Sequence, residues 1–189
     1  MSEVVVPDGW GRISIGKLGR TFNGLTKKTA KDFGGGEYFI NYLQVFNNTL
    51  SDKEKCGLVK IIDGEKQSQV IYGDILFTTS SETPNEIGYT AVFLEKDWSP
   101  YLNSFCFGVR PESFNKLIPE YANYLFSGVQ FRQLIKPLAQ GSTRFNLSKE
   151  NLKKLEISFP SLPEQQKIAS ILVNQRAKLT RVLGETALK

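Results

Sequence analysis

The C-terminal segment constrains the fold more tightly than any other part of this sequence. Residues 164–189 directly follow Pro163 and contain no glycine before Gly184. Proline is favoured at the first position of a helix, and the glycine-free stretch behind it favours one continuous helix. At 1.5 Å per residue, about 26 residues would extend roughly 39 Å. A helix of this length is predicted to project away from a compact domain.

One side of this predicted helix, the helix seam, carries mainly apolar residues at alternating spacings of three and four. This spacing is typical of the a and d positions of a coiled coil, so the seam is predicted to contact a partner helix. The alternative is that the segment folds back onto its own domain as an ordinary amphipathic helix. The seam consists of Gln165, Ile168, Leu172, Gln175, Leu179 and Val182.

The first two thirds of the chain are predicted to be rich in strands. Short runs of β-branched and aromatic residues are bounded by glycine, asparagine, aspartate or proline, the pattern of strands joined by turns. A polar, lysine-rich stretch with several glycines, residues 21–36, is predicted to be a surface loop. The predicted strands are residues 13–18, 38–46, 58–62, 69–72, 74–77, 88–94 and 102–109.

Beyond Pro111 the apolar residues recur at spacings of three and four, which favours amphipathic helices. Pro119 is placed at the start of the first helix, and Gly128 separates it from a second. Ser148 is predicted to cap a short helix that ends near Lys154.

A last strand, residues 155–159, is predicted just before the prolines at 160 and 163. The whole pattern predicts an α+β fold. Residues 1–160 would form a β-rich domain with packed helices, and residues 161–189 would form one long C-terminal coiled-coil helix.

The residue types argue against most enzymatic chemistry. The chain contains no histidine, which removes the commonest general base, zinc ligand and partner of a nucleophile. Cys56 and Cys106 are predicted to be free thiols. There is neither a glycine-rich phosphate loop nor the Asn-Pro-Pro-aromatic motif with which amino-methyltransferases hold a flipped base. We therefore predict that the chain is not an enzyme and binds no metal or cofactor directly.

The net charge and the N-terminal sequence limit the kinds of partner and location expected for the chain. Lys and Arg number 24 against 19 Asp and Glu, a formal net charge of +5, which is compatible with an anionic partner. No apolar run is long enough to span a bilayer, and the N-terminus lacks the pattern of a signal peptide. We expect a cytoplasmic protein without a membrane partner.

Three polar segments are candidates for contacts with a nucleic acid, because cations neutralise phosphates while amides, hydroxyls and guanidinium groups reach base edges. Each loop also has a simpler explanation as a solvated or turn-forming segment. Arg144 is the strongest single candidate. The first set is Lys27, Lys28 and Lys31, and the second is Thr79, Ser80, Ser81 and Asn85. The third is Gln140, Ser142, Thr143, Arg144 and Asn146, together with Arg132 and Lys136 on the predicted helix before this loop.

The C-terminal third also carries a family resemblance. Gly141-Ser-Thr-Arg-Phe-Asn-Leu-Ser148, Leu155-Glu-Ile157 and Leu162-Pro163-Glu-Gln-Gln-Lys-Ile-Ala169 follow one another there. They resemble the end of a target-recognition domain and the start of the conserved helix in the specificity (S) subunits of type I restriction-modification systems. Gly73-Asp-Ile-Leu-Phe77 is similar to an earlier segment of the same family.

The resemblance implies a protein that binds double-stranded DNA and positions partner enzymes. Methyltransferase (M) subunits would bind S-adenosylmethionine and methylate adenine, and the endonuclease (R) subunit would be a further partner. Full-length members carry two recognition domains and two helices. A chain with one of each is therefore expected either to form a two-fold homodimer through its helix or to be a fragment of a longer subunit.

Two other classes of function stay open on the sequence alone. The first is a protein-binding adaptor that uses the C-terminal helix and is inert toward DNA. The second is a hydrolytic enzyme with carboxylates at Glu37, Asp74 and Glu82, which requires the fold to bring these groups together.

Overall fold

The structure is a computed structural model that describes the backbone of residues 7–186 and the side chains of residues 7–178. Among the described helices, none combines the length and the apolar character needed to cross a membrane. The elements in chain order are β1 (Gly11–Ser14), α1 (Ile15–Leu18), β2 (Gly19–Asn23), β3 (Phe33–Ile40), α2 (Tyr42–Phe46), β4 (Gly57–Val59), β5 (Ile75–Thr78), β6 (Ser80–Ser81), β7 (Thr90–Val92), β8 (Tyr101–Leu102), β9 (Cys106–Pro111), α3 (Pro119–Ser127), α4 (Val129–Ile135), β10 (Ala139–Gln140), β11 (Phe145–Leu147), α5 (Lys149–Lys154), β12 (Glu156–Phe159) and α6 (Leu162–Thr186).

The largest sheet is antiparallel and has the strand order β2-β9-β5-β7. Its interior strand β5 is covered on both faces, since Ile75 and Phe77 belong to one apolar cluster and Leu76 to another. Successive side chains of a strand point to opposite faces. Every residue of β5 is therefore buried, which explains its continuous apolar sequence.

The main core lies where helices α3 and α4 pack against this sheet. Four phenylalanines form its centre: Phe77 and Phe107 stack with ring centroids 5.5 Å apart, and Phe126 meets Phe131 edge to face at 4.8 Å. Such aromatic pairs contribute roughly 0.5–1.5 kcal/mol beyond the burial of their area. The helices are thereby fixed on the sheet whose loops carry the candidate residues.

Three smaller sheets complete the domain. They have the strand orders β4-β3-β8, β10-β11-β6 and β1-β12. The pairing of β1 with β12 places Gly11 opposite Phe159 and so brings the start of the described chain beside the start of α6. Segments distant in sequence therefore close the domain.

Several of the predicted helix boundaries are confirmed. Pro119 lies in the first turn of α3, and Gly128 separates α3 from α4. The Ser148 hydroxyl accepts a hydrogen bond from the backbone N–H of Asn151 at the start of α5. The C-terminal segment is helical over Leu162–Thr186, while its pairing in a coiled coil stays a prediction.

The predicted strand over residues 38–46 is wrong in its second half. Strand β3 ends at Ile40, and Asn41 starts helix α2. The Asn41 side chain accepts from the N–H of Gln44 at 3.0 Å, while the Gln44 side chain accepts from the N–H of Asn41 at 3.1 Å. This reciprocal capping box outweighs the β propensity of the aromatic residues.

Two further strand predictions also need correction. Residues 69–72 form no strand, only an isolated bridge between Gln69 and Tyr101. The strand predicted over residues 13–18 ends at Ser14, where α1 begins.

The polar loop predicted over residues 21–36 is shorter than expected. Strand β2 continues to Asn23, and β3 begins at Phe33, so the three glycines lie in a strand. The pairing of β3 with β4 shifts register between Phe33 and Glu37. The glycines thus accommodate an irregularity in the strand.

Candidate nucleic-acid interface

A short turn, residues 103–106, lies at the centre of the candidate interface and is called the central turn below. The hydroxyl and the backbone N–H of Thr79 both donate to the carbonyl of Phe105, at 2.8 and 2.9 Å. From another side, the N–H of Gly24 donates to the carbonyl of Cys106 at 3.2 Å. A Cβ on Gly24 would come within 2.0 Å of the Asn103 carbonyl oxygen, so this approach requires glycine. The central turn therefore connects the segments that lead into two of the predicted loops.

The third loop, residues 140–146, belongs to a hairpin that lies beside strand β6. Strands β10 and β11 pair with each other, and β11 also pairs with β6, which places Phe145 opposite Ser81 and Asn146 opposite Ser80. Gly141 has a φ of +129°, a conformation that strongly favours glycine in this tight connection. The loops that were predicted separately around residues 79–85 and 140–146 are therefore neighbours.

The tip of this hairpin is open to solvent. The Arg144 guanidinium lies over the exposed ring of Phe105, 5.8 Å from its centroid. Arg144 has no salt-bridge partner within residues 7–178. The other exposed candidates are Asn85, Lys136, Gln140, Ser142, Thr143 and Asn146. The face offers a guanidinium, amides and hydroxyls, the groups that contact phosphates and base edges.

Three candidates support the loops instead of pointing outward. Arg132 is half-buried, donates to the carbonyls of Gly88 and Asn85 at 2.9 Å each, and stacks on Tyr89. Burial lowers the pKa of Arg132. These bonds connect α4 to the loop that displays Asn85, so Arg132 holds this loop in place, while its contact with DNA stays a prediction.

Ser80 and Ser81 are also buried. The Ser81 hydroxyl donates to the Glu86 carboxylate at 3.0 Å and accepts from the backbone N–H of Thr83 at 3.1 Å. The Ser80 carbonyl accepts from the Tyr42 hydroxyl at 2.8 Å. Both serines therefore shape the loop, and the hydroxyl of Ser81 is not available to a ligand without breaking these bonds.

The lysine-rich loop likewise contains one lysine bonded within the domain and two exposed lysines. The Lys28 ammonium donates to the Glu65 carboxylate and to the Lys60 carbonyl, each at 2.6 Å, and its side chain is only 4% exposed. The hydrogen bond from Lys28 is the largest cause, and the one from the backbone N–H of Ile62 the second, of a Glu65 pKa lowered to about 2. Lys28 is thus an internal anchor, whereas Lys27 and Lys31 are exposed.

The start of the predicted helix seam belongs to the domain. The Gln165 side chain is fully buried, accepts from the N–H of Ile118 at 3.0 Å, and donates to the carbonyls of Lys116 and Pro160 at 2.8 and 2.9 Å. Because all of these partners are in its own domain, Gln165 does not belong to a partner-helix surface.

Beyond Gln165, the described seam residues become more exposed along α6. Ile168 packs against the main core, Leu172 is half-buried and Gln175 is exposed. The side chains of Leu179 and Val182 lie outside the described residues. The domain-facing alternative therefore holds for the first turns of α6.

The carboxylates of the enzymatic alternative are separated among different sheets. Asp74 precedes β5 and is fully buried in a two-point ion pair with Arg110, at 2.7 and 2.8 Å. Glu37 is on β3, and Glu82 follows β6. Within residues 7–178 no cluster of three or more His, Cys, Asp or Glu side chains is arranged to hold a metal ion.

The cysteines are free, as predicted. Burial raises the pKa of both the Cys56 and the Cys106 thiol. A raised thiol pKa lowers the fraction of reactive thiolate, so neither side chain is activated as a nucleophile.

The sequence did not lead us to predict a role for Phe105, over whose ring the Arg144 guanidinium lies. The residue lay inside a predicted strand, residues 102–109, which the structure divides into β8 and β9. The signal was present, because Asn103 and Ser104 are turn-forming residues and the Asn103 side chain accepts from the N–H of Phe105 at 2.8 Å.

Comparison with known proteins identifies the family. Residues 7–182 match the type I restriction modification DNA specificity domain. The match covers nearly the whole chain, and the chain belongs to this family.

Individual relatives agree with this assignment. The MjaX specificity subunit of Methanocaldococcus jannaschii, a type I restriction enzyme subunit, is 31% identical over 153 residues, 79% of this chain and 35% of that protein. The MjaIX specificity subunit of the same organism is 28% identical over 97% of this chain and 43% of that protein. The chain spans about two fifths of the length of the curated relatives it matches.

The fold has been seen in a solved structure as well. The S subunit of the type I restriction-modification system of M. genitalium superposes with a TM-score of 0.63 at 17% sequence identity, covering 97% of this chain and 43% of that one. The mixed arrangement of sheets and helices is therefore the fold of a specificity subunit.

Proposed function

We propose that this chain is a DNA-recognition module of a type I specificity subunit, which selects a DNA sequence through the face around the central turn and performs no chemistry itself. The observation that carries the proposal is the juxtaposition of two polar loops on β6 and the β10–β11 hairpin, with Arg144 unpaired within the described chain beside an exposed aromatic ring. Guanidinium groups are the commonest specific contact to guanine, and exposed amides contact adenine.

The proposal assigns the candidates to different roles. Arg144, Gln140, Asn146 and Asn85 would contact base edges, while Lys27, Lys31 and Lys136 would contact phosphates. Ser142 and Thr143 would contact either, and Thr79 would do so only as an acceptor, because its hydroxyl already donates to the Phe105 carbonyl. Arg132, Lys28, Ser80 and Ser81 would hold the loops in place, because each is already bonded within the domain or buried.

The partners follow from the same proposal. Methyltransferase subunits carrying S-adenosylmethionine would methylate adenines in the selected sequence, and the endonuclease subunit would join for restriction, all in the cytoplasm. The later seam residues, Leu172, Gln175, Leu179 and Val182, would pair with the helix of a second copy. The alternative of an adaptor inert toward DNA is not favoured by the family assignment.

The experiment is to express the chain with the methyltransferase subunit encoded beside its gene in a host without adenine methylation. Methylated adenines are then mapped across the host genome. A symmetric dimer predicts a palindromic motif in two parts, because two-fold symmetry relates the two recognition domains. An intact complex that methylates no defined sequence would contradict the proposed function.

A further inference from the structure

A polar groove of about 410 Å³ lies beside strand β2, outside the face described above. Strand β2 lines it together with the segment around Gln67. The Gln67 side chain holds this segment in place, since it accepts from the N–H of Thr26 at 3.1 Å and donates to the carbonyl of Thr26 at 2.9 Å. The groove is therefore a formed feature of the fold.

The lining of the groove is cationic. It includes Arg20, Lys66 and Arg110, and the described lining residues contain no carboxylate. The buried Asp74 neutralises Arg110 from behind. Arg20 and Lys66 are exposed and have no salt-bridge partner within residues 7–178. The groove thus presents two exposed cations that form no salt bridge with the described residues, although Arg20 is near enough to Asp74 to act on the pKa of its carboxyl.

The remaining lining groups suit an oxyanion. Thr26 and Ser68, which carry hydroxyls, also line the groove. Hydroxyl and cationic side chains are typical partners of phosphate oxygens and carry no sequence information. The amides that could contact a base edge are already bonded, Gln67 to the backbone of Thr26 and Asn23 to Lys149, so the cations and hydroxyls that remain favour a phosphodiester.

One end of the groove lies next to the candidate interface. Its end at Asn23 and Gly24 adjoins the central turn, because the N–H of Gly24 donates to the Cys106 carbonyl. Lys149 hydrogen-bonds to the Asn23 side chain at the same end. A duplex whose bases meet Arg144 would have its sugar-phosphate backbone beside this groove.

We propose that the groove binds the phosphodiester backbone of the DNA next to the base-contacting face, through Arg20 and Lys66. The inference rests on the proposed function and adds the residues that hold the duplex without selecting its sequence. Arg110 also lines the groove, but its charge is paired with Asp74, so we assign it a structural role and not a phosphate contact.

The test compares two double variants. The groove variant combines Arg20→Ala and Lys66→Ala, and the control combines Lys116→Ala and Lys154→Ala. The control removes the same net charge from exposed positions outside the groove. Affinities for the target duplex and for a scrambled duplex are measured over a series of salt concentrations, after thermal unfolding shows that each variant is folded.

Each phosphate contact that is removed should reduce the slope of log affinity against log salt by about 1. The groove variant should therefore lose about 2 from the magnitude of the slope, and its affinity should fall equally for both duplexes. The control should keep the slope of the wild type, and so should a charge-conserving Arg20→Lys with Lys66→Arg variant.

A groove variant with the slope of the control, in a protein that still prefers its target, would overturn this inference and leave the proposed function standing. Loss of the preference for the target would also overturn it, because it would mean that these residues contact bases. A folded wild-type protein that binds neither duplex would overturn the proposed function and the groove assignment together.

Discussion

The guanidinium of Arg144 lies over the ring of Phe105, 5.8 Å from the ring centroid. A cation-π contact at an exposed position contributes roughly 0.5–1 kcal/mol. This is enough to bias the side chain toward the face around the central turn without engaging its N–H donors. Under the proposed function, Phe105 would thus hold the guanidinium in position to donate two hydrogen bonds to a base edge.

Replacing Arg144 with alanine should weaken binding to the target duplex by about 1–3 kcal/mol, the usual cost of losing a two-point contact to a base. Binding to a scrambled duplex should change much less. Titrations of both duplexes measure the difference, and Arg144→Lys serves as the control because it keeps the charge but loses the planar fork. Unchanged affinity in a folded variant would remove Arg144 from the set of base contacts.

The ion pair between Lys28 and Glu65 should make stability depend on pH. The pKa of Glu65 is about 2 in the folded chain against an ordinary 4.5. Its ionised form therefore stabilises the fold above about pH 4.5, and this contribution is lost as the pH falls from 4.5 toward 2.

Thermal unfolding of the wild type and Glu65→Gln at several pH values tests this. The midpoint temperature of the variant should be lower than that of the wild type near neutral pH, and the difference should shrink toward pH 2. Glu82→Gln, an exposed position with the same change of charge, should show no such trend. A difference that is constant with pH would contradict the role of the ionised carboxylate.

Gln165→Ala should destabilise the domain without altering pairing between copies. The substitution leaves the N–H of Ile118 and the carbonyls of Lys116 and Pro160 without their partner. Leaving buried polar groups unsatisfied costs about 1–3 kcal/mol, which denaturant unfolding measures. A variant of wild-type stability would show that water replaces these bonds.

Leu179→Asp should separate a dimer into monomers, since the sequence places a charged group at an apolar seam position. Sedimentation or light scattering reports the mass, and the unfolding of the recognition domain should be unaffected. Asn174→Asp, an exposed position outside the seam spacing, is the matched control. A dimer that persists in Leu179→Asp would exclude pairing through this seam.

Local rules predicted the parts of the fold whose signals are adjacent in sequence. Pro119, Gly128 and Ser148 end or begin helices because their own backbone and side chains favour those positions. The capping pair Asn41 and Gln44 was equally local, and the strand predicted over residues 38–46 failed only because aromatic content was given more weight than the cap.

The sequence by itself therefore determined the family, the helix boundaries at Pro119, Gly128 and Ser148, and which segments carry polar groups. The tertiary structure decided which of those groups are free. Lys28 meets Glu65 across 37 positions, Arg132 meets Gly88 across 44, and Gln165 meets Lys116 across 49. Local patterns carry no information about such pairs, because hydrogen bonds and ion pairs depend on distances that only the packed chain sets.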